Sequence, residues 1–323
     1  MSLAIESDRL LYDGVCAWPN LRRFASGDLL AVFHNTSSHA LKPGGIDMMV
    51  SRDGGQTWSD RHTIFPAGEE MTRCNHAVGT FEDTALVLCA GWQLCSKGVE
   101  IPRRVRQLAP LSVRLEENGD GWTCPEDACG LAPLPWVPFG NILQADNGDL
   151  CTATYLNLNG LVETFFVHST DGGKSWKTVS RIAEKCNETA VEYLGDGHWL
   201  AAVRTENRGL LQYDSFDDGK SWNYAQQLTL RRQVTGNLLR LSDGRVMLCY
   251  GNRNQGHFGV DIRVSEDNGA EWGEPMRLAA TPSSDCGYPS TVEIAQGEYL
   301  TLYYTQNASQ TSYELRQVHW HLQ

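Results

Sequence analysis

Short apolar runs punctuated by Gly, Asp and Asn recur along the whole chain. Leu29-Leu-Ala-Val-Phe33 follows Ser26-Gly-Asp, Leu150-Cys-Thr-Ala-Thr-Tyr155 follows Asp146-Asn-Gly-Asp, and Trp199-Leu-Ala-Ala-Val203 follows Gly195-Asp-Gly-His. Later copies are Val246-Met-Leu-Cys-Tyr250 after Ser242-Asp-Gly-Arg and Tyr299-Leu-Thr-Leu-Tyr-Tyr304 after Gln296-Gly-Glu. Runs this short predict strands, and Asp-Gly or Asn-Gly between them predicts tight hairpins, because those residues tolerate φ > 0. No run approaches the ~18–20 apolar residues of a membrane helix, so no membrane insertion is expected.

A second pattern, S-x-D-x-G-x-x-W, closes these units. It stands at Ser51–Trp58, Ser169–Trp176, Ser215–Trp222 and Ser265–Trp272, with a degenerate copy at Leu115–Trp122. In this Asp box the carboxylate can accept backbone N–H groups of its own turn, the Gly takes a left-handed conformation, and the Trp fills an apolar gap. The box residues are therefore expected to hold the fold and not to catalyse. With Trp320 as a sixth mark, successive tryptophans fall 46 to 64 residues apart, slightly above one four-stranded blade of roughly 40–50 residues.

The predicted fold is all-β: a six-bladed β-propeller with four-stranded antiparallel blades and Asp-box turns, a single domain over residues 1–323. The long second unit implies an inserted loop around Gln93–Gln107. The segment Leu3–Leu11 is expected to pair with the last blade and cover its open edge.

Composition narrows the function. The net charge of −12 leaves no basic stripe for nucleic acid, yet a few local arginines can still bind a small anion. Met1 to Asp13 lacks the basic start and apolar core of a secretory signal, so a cytoplasmic location is expected, with a secreted or periplasmic one open if a leader has been removed. On that compartment argument the 10 cysteines are expected to be free thiols, and none has zinc-ligand spacing.

In a propeller the first strand of each blade begins near the axis, and the second ends there. The side chains at those places crowd one mouth: Arg73 to His76, Asn141, Glu188, Asn237 and Tyr288 at strand starts; His34, Gln93, Arg204 and Arg253 at strand ends. Converging Arg, Glu and Tyr from distant blades must compensate one another's charge or be compensated by ligand. That mixture suits a divalent cation poorly, since the arginines already supply positive charge, and no metal or cofactor is expected.

Three stretches carry a specific resemblance. Cys186-Asn-Glu-Thr-Ala-Val-Glu192, continuing to Arg204, resembles the sialidase (neuraminidase) segment with the catalytic Glu and the second arginine of a carboxylate-binding triad. Tyr250-Gly-Asn-Arg253 and the strand after it resemble the segment with the third arginine, and Asp285-Cys-Gly-Tyr288-Pro-Ser resembles that with the nucleophilic tyrosine. The resemblance, boxes included, covers essentially the whole chain. It implies a retaining exo-α-sialidase-like glycoside hydrolase in which Glu188 activates Tyr288 while Arg204 and Arg253 clamp the carboxylate of a terminal sialic acid or related anionic sugar.

The chain departs from that pattern twice. The family's first triad arginine precedes Ile-Pro, but here the stretch is Ala17-Trp18-Pro19; Arg73 is the substitute candidate, with Arg22 or Arg23 behind it. The family's acid/base Asp lies in the loop after the second strand, and His34–Gly45 holds no acid. The protonating role then falls to His34, His39 or His76, with His34 favoured for its place at the strand end. His76, Gln93 and Asn141 are further candidates for substrate contacts. The alternatives are a propeller glycosidase or lyase acting on uronic-acid-containing glycans, and a non-catalytic carbohydrate-binding propeller. In each case the expected partner is a glycan, bearing a carboxylate in the first two.

Overall fold

The computed structural model describes residues 2–97, 103–116, 126–132, 136–158 and 160–323. It is all-β. Asn20–Arg23, Leu29–His34, Ile46–Ser51 and His62–Phe65 form the first four-stranded antiparallel sheet. Cys186–Gly195, His198–Thr205, Gly209–Ser215 and Asn223–Gln227 form another, and Gln233–Arg240, Val246–Asn252, Gly259–Ser265 and Met276–Ala280 a third.

Between them lies an eight-stranded sheet made of two four-stranded antiparallel halves. Met71–Phe81, Thr84–Cys95, Arg103–Glu116 and Glu126–Asp127 make one half. Val137–Gln144, Leu150–Leu158, Leu161–Ser169 and Lys177–Glu184 make the other, and the halves meet at the parallel pairs Gly140–Ala77 and Asn141–Val78. In the last sheet Cys286–Ala295, Glu298–Gln306 and Tyr313–Leu322 are joined by the N-terminal strand Leu3–Asp13, which pairs antiparallel with Tyr313–Leu322 as expected. Among the described residues no helix is long and apolar enough to cross a membrane.

Burial explains the layering. Leu29–His34 is buried at every position, whereas the outer strand Asn223–Gln227 is largely exposed. Neighbouring sheets pack face to face: Leu30, Val32 and Ile46 meet Val78, Val87 and Val113, and Leu200 and Ala202 meet Leu238 and Leu248.

Four boxes have the expected chemistry. In the third, Ser215 Oγ donates to Asp217 (2.8 Å) and accepts from Gly219 N (2.9 Å), while Asp217 accepts from Ser221 N (2.9 Å). Gly219 sits at φ +75°, and a Cβ there would come within 2.2 Å of Phe166 in the preceding sheet. The box glycines 55, 173 and 269 abut Leu300 of the last sheet, Leu86 of the other half of the large sheet and Leu200 of the preceding sheet in the same way, so each box packs against a neighbouring four-stranded unit. The degenerate box runs into 117–122, outside the described residues.

One expectation changes. The insertion at 93–107 is no loose loop over its described part: the two strands continue as a hairpin, with Gln93 opposite Arg106 and Cys95 opposite Arg103, and its tip at 98–102 lies outside the described residues. The nine described cysteines are free, as expected, and Cys124 lies outside those residues.

Candidate active site

Five first strands carry a register shift near their start, at Arg73/His76, Phe139/Leu143, Cys186/Thr189, Gln233/Gly236 and Gly287/Ser290. Such bulges leave residues unpaired and re-aim their side chains. Glu188 and Tyr288 both sit in one. Tyr288 has φ +49°, a conformation rare for an aromatic residue, and the backbone before it runs hard against the preceding sheet: a Cβ on Gly287 would lie 2.8 Å from the Gly251 Cα.

The bulges bring the two side chains together. The Tyr288 hydroxyl donates to Glu188 Oε1 at 2.6 Å. Arg204, facing Glu188 from the adjacent strand, pairs with Glu188 Oε2 and donates from Nη1 to the Tyr288 oxygen at 3.0 Å. Burial pushes the Tyr288 pKa well up, and the Glu188 charge adds to this against the opposing pull of Arg204 and Arg253. For Arg204, burial favours losing the proton, but Glu188 and Tyr288 outweigh it and hold the guanidinium charged.

Arg253 completes the cluster. Its Nε donates to the Cys286 carbonyl (3.0 Å) and its Nη2 to the Tyr304 hydroxyl (3.1 Å), with the guanidinium carbon 5.7 Å from the centre of the Tyr288 ring. Four residues named from the sequence therefore meet in space: Tyr288, Glu188, Arg204 and Arg253.

Comparison with known proteins settles the family. The sequence model of the BNR repeat-like domain matches residues 27–301. A sialidase of Bacteroides fragilis is 21% identical over 335 residues, covering 92% of this chain and 61% of that one. This chain belongs to the sialidase superfamily with BNR repeats.

Solved structures agree on the fold of this BNR-repeat protein. A Dyadobacter fermentans protein of unknown function superposes with a TM-score of 0.84 at 19% identity over all of both chains. Trypanosoma rangeli sialidase in complex with the inhibitor DANA superposes with a TM-score of 0.74 at 18% identity, covering 95% of this chain and 55% of that one. The chain thus spans a little over half the length of the trypanosomal enzyme and 61% of the Bacteroides one.

Of the remaining sequence candidates, Arg73, Gln93 and Asn141 make their contacts within other parts of the BNR fold, whereas His76 reaches the cavity beside Tyr288. Arg73 is buried and donates to the Ala109 carbonyl (3.2 Å) within its own sheet; among the described residues no hydrogen bond or ion pair joins it to Tyr288, Arg204 or Arg253. Gln93 lies in the long hairpin, paired with Met71 and Arg106. Asn141 is buried at the parallel seam between the two halves of the large sheet. His76 is buried with Nδ1 2.9 Å from the Cys74 carbonyl, and burial lowers its pKa; it lines, with Trp18, Asn20, Asn75, Phe139 and Tyr288, a cavity between the first strands.

His34 does not stand at the mouth as expected. It has no exposed surface, its Nδ1 contacts the Arg73 carbonyl at 2.7 Å, and its ring stacks on Trp18. Burial drives its pKa down to about 4, so the imidazole is held neutral.

Sequence reasoning assigned no role to Trp18, Asp285, Tyr304 and Tyr313. The Trp18 ring lies 6.2 Å from that of Tyr288 and 6.4 Å from that of Tyr304, at φ +40°. Asp285 accepts from the Tyr304 and Tyr313 hydroxyls, each at 2.6 Å, and its Oδ2 lies 3.4 Å from His39 Nδ1. The available signal was position: Asp285 opens the same stretch as Tyr288, and Trp18 fills the place where the family carries an arginine.

Proposed function

We propose that the chain is a retaining exo-glycosidase that releases terminal sialic acid, or a related sugar with its carboxylate on the anomeric carbon, from glycoconjugates. The hydrogen bond from Tyr288 to Glu188, with Arg204 on both, carries this reading. A sugar whose carboxylate sits on the anomeric carbon repels a carboxylate nucleophile, whereas a phenol arrives neutral. A phenol with a raised pKa must lose its proton as the new bond forms, and Glu188 is placed to take it. Arg204 and Arg253 offer the paired donors that suit a carboxylate. The related sialidases support the substrate class.

The same reading takes the units as six blades of one domain. In its support, the first strands lie beside one another in cyclic order: 20–23, 71–81, 137–144, 186–195, 233–240 and 286–295, the last again beside the first.

The test compares release of a fluorogenic aglycone from α-sialosides and from β-glucuronides, followed by trapping with a fluorinated sialoside and peptide mass spectrometry. Turnover of the sialoside with the label on Tyr288 is expected, undiminished by EDTA. Turnover of the glucuronide alone, or a label elsewhere, would refute it.

A further inference from the structure

A glycosidase needs a proton for its leaving group, and the first-sheet loop over 35–45 offers no carboxylic acid. We infer that His39 supplies that proton from Nε2 and later takes one from water, with Asp285 as the positioning residue on Nδ1; the inference rests on the glycosidase reading above.

His39 Nδ1 lies 3.4 Å from Asp285 Oδ2 and 3.9 Å from the Cys16 thiol, which puts Nε2 on the opposite edge of the ring. The side chain is 37% exposed, whereas His34 and His76 are buried. Its loop is anchored: Arg104, from the long hairpin, donates to the carbonyls of His39 (2.6 Å) and Ala40 (3.3 Å), and Ser37 Oγ accepts from Tyr313 N (3.1 Å). The His39 ring meets Trp18 edge-on at 4.9 Å, and Trp18 in turn flanks Tyr288, so donor and nucleophile share one aromatic wall.

Asp285 ties the histidine to the rest of the site. Tyr304 donates to Asp285 and accepts from Arg253, a chain that runs from the carboxylate-binding arginine to the proton donor. Asp285 is no proton donor itself. Burial would raise its pKa, but His39 and the two tyrosine hydroxyls outweigh burial and hold it well below the usual carboxylate range. A carboxylate that stays ionised on Nδ1 fixes the ring's orientation and steadies the imidazolium.

In the first step the Tyr288 oxygen bonds to the anomeric carbon and its proton passes to Glu188. The glycosidic bond breaks with its electron pair on the leaving oxygen, which takes the Nε2 proton. In the second step water gives a proton to Nε2 while its oxygen bonds to the anomeric carbon. The Tyr288 oxygen departs with its pair and recovers its proton from Glu188.

His39→Ala and His39→Gln separate a chemical role from a structural one. On a sialyl-lactose substrate, whose alkoxide leaves poorly, both are expected to lose ~10²–10⁴-fold in kcat/KM, the usual contribution of a general acid. On an umbelliferyl sialoside kcat/KM should fall less than ~10-fold, and added azide, which needs no base, should restore kcat. Asp285→Asn should show the same split more weakly, and the double variant should lose no more than His39→Ala. His34→Asn should show no split. Equal losses on both substrates, no loss, or no effect of azide would overturn the role of His39 while leaving the glycosidase reading standing. A wild-type protein inactive on both substrates would overturn the two together.

Discussion

At the Asp-box turns and around Tyr288 the protein uses similar side chains in opposite ways. Each box closes its hydrogen bonds within a few residues of chain, as from Ser215 to Asp217 to Ser221, and lies at an exposed turn. Around Tyr288 the partners are remote: Glu188 lies 100 residues away, and Arg204 84. The box carboxylates need no tertiary structure to find their donors. The hydrogen bonds of Thr57 and Ser51 hold Asp53 down to about 2 even though it is exposed. The Tyr288 cluster exists only where strands from different sheets converge, and burial makes its groups depend on one another. Local motifs thus repeat and stabilise, while the non-repeating residues meet once.

The sharpest break between the two regions is Tyr288→Phe. Removing one hydroxyl should cut turnover by ~10³-fold or more, as loss of a nucleophile does, with a melting temperature near that of the wild type. Activity retained in the Phe variant would end the distinction. Trp176→Ala tests the other side. This box tryptophan is 2% exposed, and its loss should cost ~3–5 kcal/mol in denaturant unfolding with kcat unchanged at temperatures where the variant is folded.

Gly219→Ala is smaller. The new Cβ would meet Phe166 and take a strained φ, for an expected ~1–3 kcal/mol; an unchanged unfolding midpoint would contradict the packing of box against sheet. The smallest effect lies in the pH dependence of stability. Burial pushes the Glu192 pKa up to about 7, against the opposing charge of Arg22, and pushes His34 down to about 4. Between pH ~4.5 and ~6.5 the folded state holds an extra proton on Glu192, so stability falls as pH rises. There the unfolded state holds an extra proton on His34, so stability rises, and the two slopes oppose. Glu192→Gln should expose the histidine slope, making stability rise with pH across that window by at most ~1.4 kcal/mol per unit more than in the wild type. An unchanged slope would show that Glu192 does not titrate there.

Much of this protein was legible in its residues. The S-x-D-x-G-x-x-W turns and the Asp-Gly hairpins are local chemistry, in which a residue's conformational preference and its nearest donors decide the outcome. They gave the strands, their grouping and the pairing of the N-terminal strand with the last. Glu188, Arg204, Arg253 and Tyr288 were nameable because they stand at fixed places in such units. Tertiary structure decided which of the other polar residues join them. Its strand-end position favoured His34 over His39 in the loop that follows, and only packing shows the first sealed against Trp18 and the second open beside Asp285. Arg73 looked like a substitute arginine until its guanidinium was seen turned to Ala109. Register shifts, stacking on Trp18 and the approach of Gly287 to Gly251 join residues from separate sheets, and no local preference encodes such contacts. They follow from how whole sheets pack, which is why the chemistry at the mouth appears only in three dimensions.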